Sequence, residues 1–375
     1  MTEFFYKLGH CKDLAVAEFC ALTKDKNPQI TDNWLISEKN LNVNRTGSLI
    51  FGGIILGKMK DFGTNKKNFQ SFLQEFLDME HEIHQTKKVG ISVPFKLSHN
   101  VINIAKKAGF KKINVLKDKQ PNIGNWKGLK EWYIIFFINK DLVLGKIDTY
   151  FDQEFYSKLD MRLPVSDMRR GQINLKLARS LVNLNSQKSI YDPFVGVGRI
   201  PLASMNLKKQ FIASDINEQA IKDTKNNYEY GKTFWSKTLK RPVDLVEPFL
   251  SDSRNISELN LTGVNFAHVG ISTEGYLGTN FNTKPSEKNC QDQWQIIEKL
   301  WKDTIQSSQT IKIPEIVLCL PFYQLGNKQL LPNFVDRLIQ STSYSLTSFH
   351  NQKPYILYSR EKSNVGHMIL KLVLS

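Results

Sequence analysis

Along the first 150 residues the spacing of apolar positions changes period several times. The run Leu14-Ala15-Val16-Ala17-Glu18-Phe19-Cys20-Ala21-Leu22 has the i, i+3, i+4 spacing of a helix buried on one side, and similar patterns recur over 68–78 and 99–109. Ser48 to Leu56 reads as a strand interrupted by the pair Gly52-Gly53. Shorter strands are predicted at Val89–Val93, Ile113–Leu116 and Trp132–Asn139, the last rich in aromatic and β-branched residues. Helices and strands alternate here too irregularly for a nucleotide-binding sheet, so residues 1–150 are expected to form an α+β region.

The pattern then fades. Residues 151–172 are mostly polar, ending in Asp167-Met168-Arg169-Arg170-Gly171, and predict a linker. From 173 to 375 the order changes: a helix over Asn174–Asn183, a strand Ser189–Asp192, a glycine turn, a helix, and a strand ending at Asp215. Strand, glycine turn, helix, strand is the opening of a doubly wound parallel sheet. Its closing strands are predicted at Val317–Leu320, Tyr355–Tyr358 and Met368–Val373. No internal repeat or low-complexity tract is evident.

A chain of 375 residues fits two domains, each able to bury a core. The formal net charge of +15 favours a polyanionic partner, because a basic field raises the local concentration of phosphate backbone. Both halves carry the excess. Cys11, Cys20, Cys290 and Cys319 lie far apart, without Cys-x-x-Cys spacing or nearby histidines, so no metal is expected and the thiols read as reduced and mostly buried. His81 and His84 stand at i, i+3 but lack a carboxylate-rich partner motif. No apolar run approaches membrane-spanning length, and a soluble, cytoplasmic protein is expected.

The candidate chemistry begins at Asp192-Pro193-Phe194-Val195-Gly196-Val197-Gly198, where an acid at a strand end precedes a Gly-x-Gly turn leading into a helix. The glycines let the backbone turn tightly and approach a ligand, and the helix start presents free N–H groups. A dinucleotide site would call for a third glycine three residues on, where Pro201 stands. An acid before the turn suits a cationic, amino-acid-bearing ligand and repels a pyrophosphate. The next strand ends at Asp215-Ile216, about 20 residues on, where a carboxylate can hold a ribose hydroxyl pair. Asp252-Ser253 ends a further short run and is a candidate for an adenine amino group, although Ser-Asp-Ser is also good turn or helix-cap sequence. Together these residues point to S-adenosylmethionine.

Asp167-Met168-Arg169-Arg170-Gly171, continuing through Leu177-Ala178 and Asn183-Leu184 to Asp192-Pro-Phe-Val-Gly-Val-Gly, resembles the THUMP-associated tRNA guanine-N2 methyltransferases. Leu8-Gly9 through Glu18, Tyr358-Ser-Arg360 and Val365-Gly366-His367 are similar to other parts of such proteins. The resemblance implies an α/β fold: a class I, Rossmann-like methyltransferase domain with a seven-stranded, mainly parallel sheet, preceded by a THUMP-like RNA-binding region. It further implies S-adenosylmethionine as cofactor, tRNA as partner, methyl transfer to guanine N2 and, as in some members, a second protein subunit. In that family an Asp/Asn-Pro-Pro-Tyr/Phe motif holds the target amino group. The corresponding segment here is Thr273-Glu274-Gly275-Tyr276, without the proline pair. This departure leaves open a variant site, in which Glu274 accepts hydrogen bonds from the amino group and Tyr276 stacks on an extruded base, a changed base, or lost activity.

Lys106, Lys107, Lys111 and Lys112, with Lys117 and Lys119 beyond them, form the densest basic cluster. With Arg169 and Arg170 they are candidates for RNA contact, against the simpler reading of a solvated charged face. Two alternatives remain: a DNA amino methyltransferase acting on adenine N6 or cytosine N4, and a noncatalytic RNA-binding protein that retains a cofactor fold. Against the DNA enzyme stands the lack of a helix-turn-helix or zinc-finger signature.

Overall fold

The computed structural model describes residues 2–84, 88–117, 131–166, 173–236, 247–279, 281, 284–360 and 363–375. Contacts divide the chain into two compact units, Met1–Lys12 with Thr23–Arg45 and Leu49–Glu154, and Asp13–Leu22 with Thr46–Ser48 and Phe155–Ser375. No helix among the described residues is long and apolar enough to cross a membrane.

In the first unit β1 (Phe4–Leu8), β2 (Gln29–Thr31), β3 (Trp34–Ser37), β4 (Leu49–Met59), β5 (Lys88–Val93), β6 (Lys112–Lys117), β7 (Glu131–Ile138) and β8 (Asp141–Tyr150) form one sheet in the order β2-β3-β1-β4-β8-β7-β5-β6. Pairing is antiparallel except where β5 runs parallel to β6 and β7. The strand expected to break at Gly52-Gly53 runs on through both glycines. A Cβ at Gly53 would sit 1.9 Å from the Lys146 carbonyl oxygen and one at Gly52 2.5 Å from the Tyr6 ring, so these glycines permit close approach instead of ending the strand. Helices Phe69–His84 and Ser98–Lys107 contribute Leu73, Leu77, Val101 and Ile104 to a core shared with Val89, Ile91 and Tyr133.

The second unit is built on β9 (Ser189–Asp192), β10 (Gln210–Asp215), β11 (Phe249–Leu250), β12 (Val269–Ser272), β13 (Glu315–Leu325), β14 (Lys328–Leu330), β15 (Tyr344–Leu346), β16 (Ile356–Tyr358) and β17 (Val365–Leu374). The continuous order is β11-β10-β9-β12-β13-β17-β15, parallel from β11 to β13 and antiparallel at β17 and β15. The strand order reverses at β9, which leads to β10 on one side and has β12 on the other. That reversal opens a crevice at the carboxyl ends of the strands. β14 extends β13 as a hairpin, and the free edge of β17 is divided between β15 and β16. The sequence pattern brought out only the second of these two.

Helix Glu287–Thr310 starts at a capping box between Ser286 and Asn289 and buries Cys290, Trp294, Ile297, Trp301 and Ile305, spaced three and four apart, in a core with Ile316, Leu318, Leu320, Leu370 and Leu372. The segment expected to be a polar linker holds a helix, Gln153–Arg162, which buries Tyr156 and Leu159 while its polar residues mask the period. Segment Asp13–Leu22 is tied into the second unit by fully buried Glu18. Its carboxylate accepts from Gly47 N (2.9 Å), Ser48 N (3.0 Å), Ser180 Oγ (3.0 Å) and Asn183 Nδ2 (2.7 Å), so the desolvated charge is met on several sides.

Candidate functional site

The turn after β9 is shaped by two glycines in left-handed conformations, Gly196 at φ +55° and Gly198 at φ +83°. Three side chains from outside the turn hold it. Gly196 N donates to Asp215 Oδ2 (2.9 Å), Thr224 Oγ1 donates to the Gly196 carbonyl (3.0 Å) and Asn227 Nδ2 to the Val197 carbonyl (2.8 Å). Thr224 and Asn227 belong to helix Glu218–Ser236, so the helix between the second and third strands fixes the loop after the first. Helix Arg199–Asn206 begins directly at Gly198.

Asp192, at the end of β9, is 3% exposed. Burial pushes its carboxyl up to about 7, with Asp215 and Glu274 adding to the rise and hydrogen bonds from Thr273 and the Phe194 amide opposing it. The carboxylate thus sits where a cationic ligand would be most valuable. Asp215 also accepts from Asn217 N (2.9 Å), which sets its carboxylate at the crevice, and Ile216 beside it is 66% exposed.

These groups surround one cavity of about 810 Å³, lined by Asp192, Gly196, Asp215, Ile216, Asp252 and Glu274 among others. Pro193 and Phe194 form its wall, with the Phe194 ring 5.2 Å from Trp301. Asp252 stands at the rim engaged by Arg254, whose Nε lies 3.0 Å from both carboxylate oxygens, and these hydrogen bonds hold the carboxyl below the usual range. Ser253 also lines the cavity, with its hydroxyl engaged by Thr304 Oγ1 (3.1 Å). The wall also carries buried Arg199, ion-paired to Asp160, together with Arg360.

Thr273, Glu274, Gly275 and Tyr276 follow β12 at the same end of the sheet. Thr273 is buried, donating toward Asp192 while its oxygen accepts from Gly275 N (2.9 Å). Gly275 has φ +71° and no room for a Cβ, which would lie 2.4 Å from Trp301 Cζ2. Tyr276 is half-buried against the core and lines the cavity. Glu274 Oε1 accepts a hydrogen bond from His367 Nε2 on β17 at 2.7 Å. No local signal marks His367 as part of the site, since the pair is 93 residues apart. The same holds for Asn227, whose role appears only when the helix is packed.

Lys106, Lys107, Lys111 and Lys112 are exposed at the end of helix Ser98–Lys107 and the start of β6, in the first unit. Arg169 and Arg170 lie outside the described residues. Among the described residues no group of His, Cys, Asp and Glu is arranged to hold a metal.

No protein-family model matches the chain, and no curated protein matches it. Among solved structures, TrmN from Thermus thermophilus is similar over 100% of both chains at 12% identity, with a TM-score of 0.53. Trm5b from Pyrococcus abyssi, 13% identical over 99% of both chains, has a TM-score of 0.35. An rRNA methylase from Streptococcus thermophilus, 15% identical over 50% of this chain and 89% of its own, has a TM-score of 0.29. The last two are too distant to bear on this chain. The likeness to TrmN is one of fold, and the architecture is α/β and Rossmann-like, as in methyltransferases of class I.

Proposed function

We propose that the cavity binds S-adenosylmethionine and that the protein methylates an exocyclic amino group of tRNA, with guanine N2 as the acceptor. The observation that carries this reading is the convergence of Asp192, the Gly196–Gly198 turn, Asp215, Asp252 and Glu274–Tyr276 on one cavity at the ends of successive parallel strands. The residues fit the group. Asp215 suits the ribose diol, exposed Ile216 an adenine face and Ser253 its edge. Asp192, desolvated and close to neutral, gains most from a nearby ammonium or sulfonium. About 810 Å³ lies within the range of pockets that enclose molecules of this size.

Bound there, the cofactor supplies an electrophilic methyl carbon. Everything else falls to the chain. An exocyclic amino nitrogen is a weak nucleophile because its lone pair is delocalised into the ring. Positioning it in line by an acceptor at Glu274 and a stacking surface at Tyr276 is therefore the main catalytic demand. The exposed lysines from 106 to 112 supply a basic surface suited to an RNA backbone.

The test is titration calorimetry with S-adenosylmethionine, followed by mass spectrometry of nucleosides from unmodified tRNA incubated with protein and cofactor. A new N2-methylguanosine peak is expected. Methylation of DNA alone, or cofactor binding with no transfer to tRNA or DNA, would replace this reading by one of the two alternatives.

A further inference from the structure

The turn Thr273–Tyr276 lacks the rigid proline pair that would fix an acceptor, yet its one acid is held in place from another strand. Glu274 Oε1 meets His367 Nε2 at 2.7 Å, and both side chains line the cavity. The imidazole is itself confined: its ring lies 5.8 Å from that of Tyr358 on β16, the backbone register sets it opposite Pro321 on β13, and Nδ1 is buried without a hydrogen-bond partner. A buried, unpartnered ring nitrogen carries a desolvation cost, so this arrangement does not explain itself as packing. Glu274 also lies close enough to Asp192 and Cys319 to raise both.

We propose that Glu274 and His367 form a carboxylate–imidazole pair that accepts the proton released on methylation of the amino group, with His367 as a positioning residue acting through Glu274. This rests on the function proposed above and names the proton acceptor of that site. The amino nitrogen's lone pair forms the new N–C bond, and the methyl carbon–sulfur bond breaks with its electron pair going to sulfur. The nitrogen, now positive, passes one proton to the free Oε2 of Glu274, and the hydrogen bond to His367 stabilises the product arrangement. His367 fixes which oxygen faces the amine, and its Nε2–H bond to Oε1 stays in place when Oε2 takes the proton. Other ionisable groups around the pair are Asp192 from the end of β9, Cys319 on β13, Tyr358 on β16, Tyr276 beyond β12 and Arg360, which lines the same cavity. The Cys319 thiol is pushed well up by burial and stays protonated, which leaves it out of the exchange.

The experiment compares wild type, His367→Gln and Glu274→Gln in methyl transfer to tRNA from pH 5 to 9, with cofactor affinity and melting temperature measured on each. His367→Gln can bring an N–H near the position of Nε2 but on a flexible chain that no ring packing confines. Its maximal kcat is expected to fall about 10- to 100-fold and the acidic limb of its profile to move, with cofactor Kd within about twofold of wild type. Glu274→Gln is expected to lose about 100-fold or more in kcat and the acidic limb altogether. An active wild type whose profile is unchanged by His367→Gln, or a loss confined to KM in both variants, would overturn the proposal alone. A wild type that binds cofactor but methylates no nucleic acid would overturn the proposed function and the proton acceptor with it.

Discussion

Replacing Asp192 by Asn tests whether the acid at the centre of the site is held at a cost to stability. In the folded protein its carboxyl is raised from 3.8 to about 7, chiefly by burial. A group raised on folding binds its proton more tightly in the folded state. Its contribution is therefore fully present below about pH 4 and is lost as pH rises through 7. At ~1.36 kcal/mol per pH unit, the whole displacement corresponds to about 4 kcal/mol. Roughly 3 kcal/mol of it is crossed between pH 5 and pH 8. Asn keeps an oxygen for the Phe194 amide and for the Thr273 hydroxyl but does not ionise. In urea unfolding, Asp192→Asn should match wild type near pH 4 and exceed it increasingly up to pH 8, by a few kcal/mol. Cofactor binding should move the opposite way, because a cation in the cavity favours the ionised carboxylate. Wild type should therefore take up S-adenosylmethionine with release of a proton near pH 6, read by calorimetry in buffers of different ionisation enthalpy, and Asp192→Asn should bind more weakly without it. Parallel stability profiles for the two proteins would refute the reasoning.

Asp215→Ala removes both the acceptor for Gly196 N and the candidate ribose ligand. It should weaken cofactor binding about 10-fold or more in calorimetry, while Asp252→Ala, whose carboxylate is already taken up by Arg254, should cost less. Gly275→Ala forces a Cβ to within 2.4 Å of buried Trp301 at φ +71°. A loss of about 1–3 kcal/mol is expected, seen as a melting point lowered by several degrees. Joint replacement of Lys106, Lys107, Lys111 and Lys112 by Glu should weaken tRNA binding and flatten its salt dependence, by about 0.7 in log–log slope for each phosphate no longer neutralised. Cofactor affinity should stay unchanged. An unaltered salt slope in filter binding would mark these lysines as a solvated face.

Residues whose conformation is set by their neighbours in sequence were legible without the structure. β9 is delimited by the sequence as Ser189–Asp192, the strand expected at 89–93 lies within β5, and the helix expected at 68–78 and the strand at 132–139 each overrun the observed element by a single residue. The turn at Asp192–Gly198 and the acid at Asp215 could be recognised because strand-end acids and left-handed glycines act over a few bonds. A polar helix such as Gln153–Arg162 was not legible, since two buried residues in ten leave almost no period. Nor was the continuity of β4 through Gly52-Gly53, where the need for glycine comes from Tyr6 and Lys146 on the neighbouring strands.

The sequence by itself determined that an acid, a glycine turn and a second acid would stand at the ends of consecutive strands, because local backbone preference and alternation of strand and helix suffice for that. Only the tertiary structure decided what faces them. Asn227 and Thr224 tether the turn from a later helix, Glu18 is buried against Ser180 and Asn183, and His367 meets Glu274 across β13. Each of these pairings depends on strand order and helix packing, in which residues 28 to 165 positions apart become neighbours through burial of a shared core.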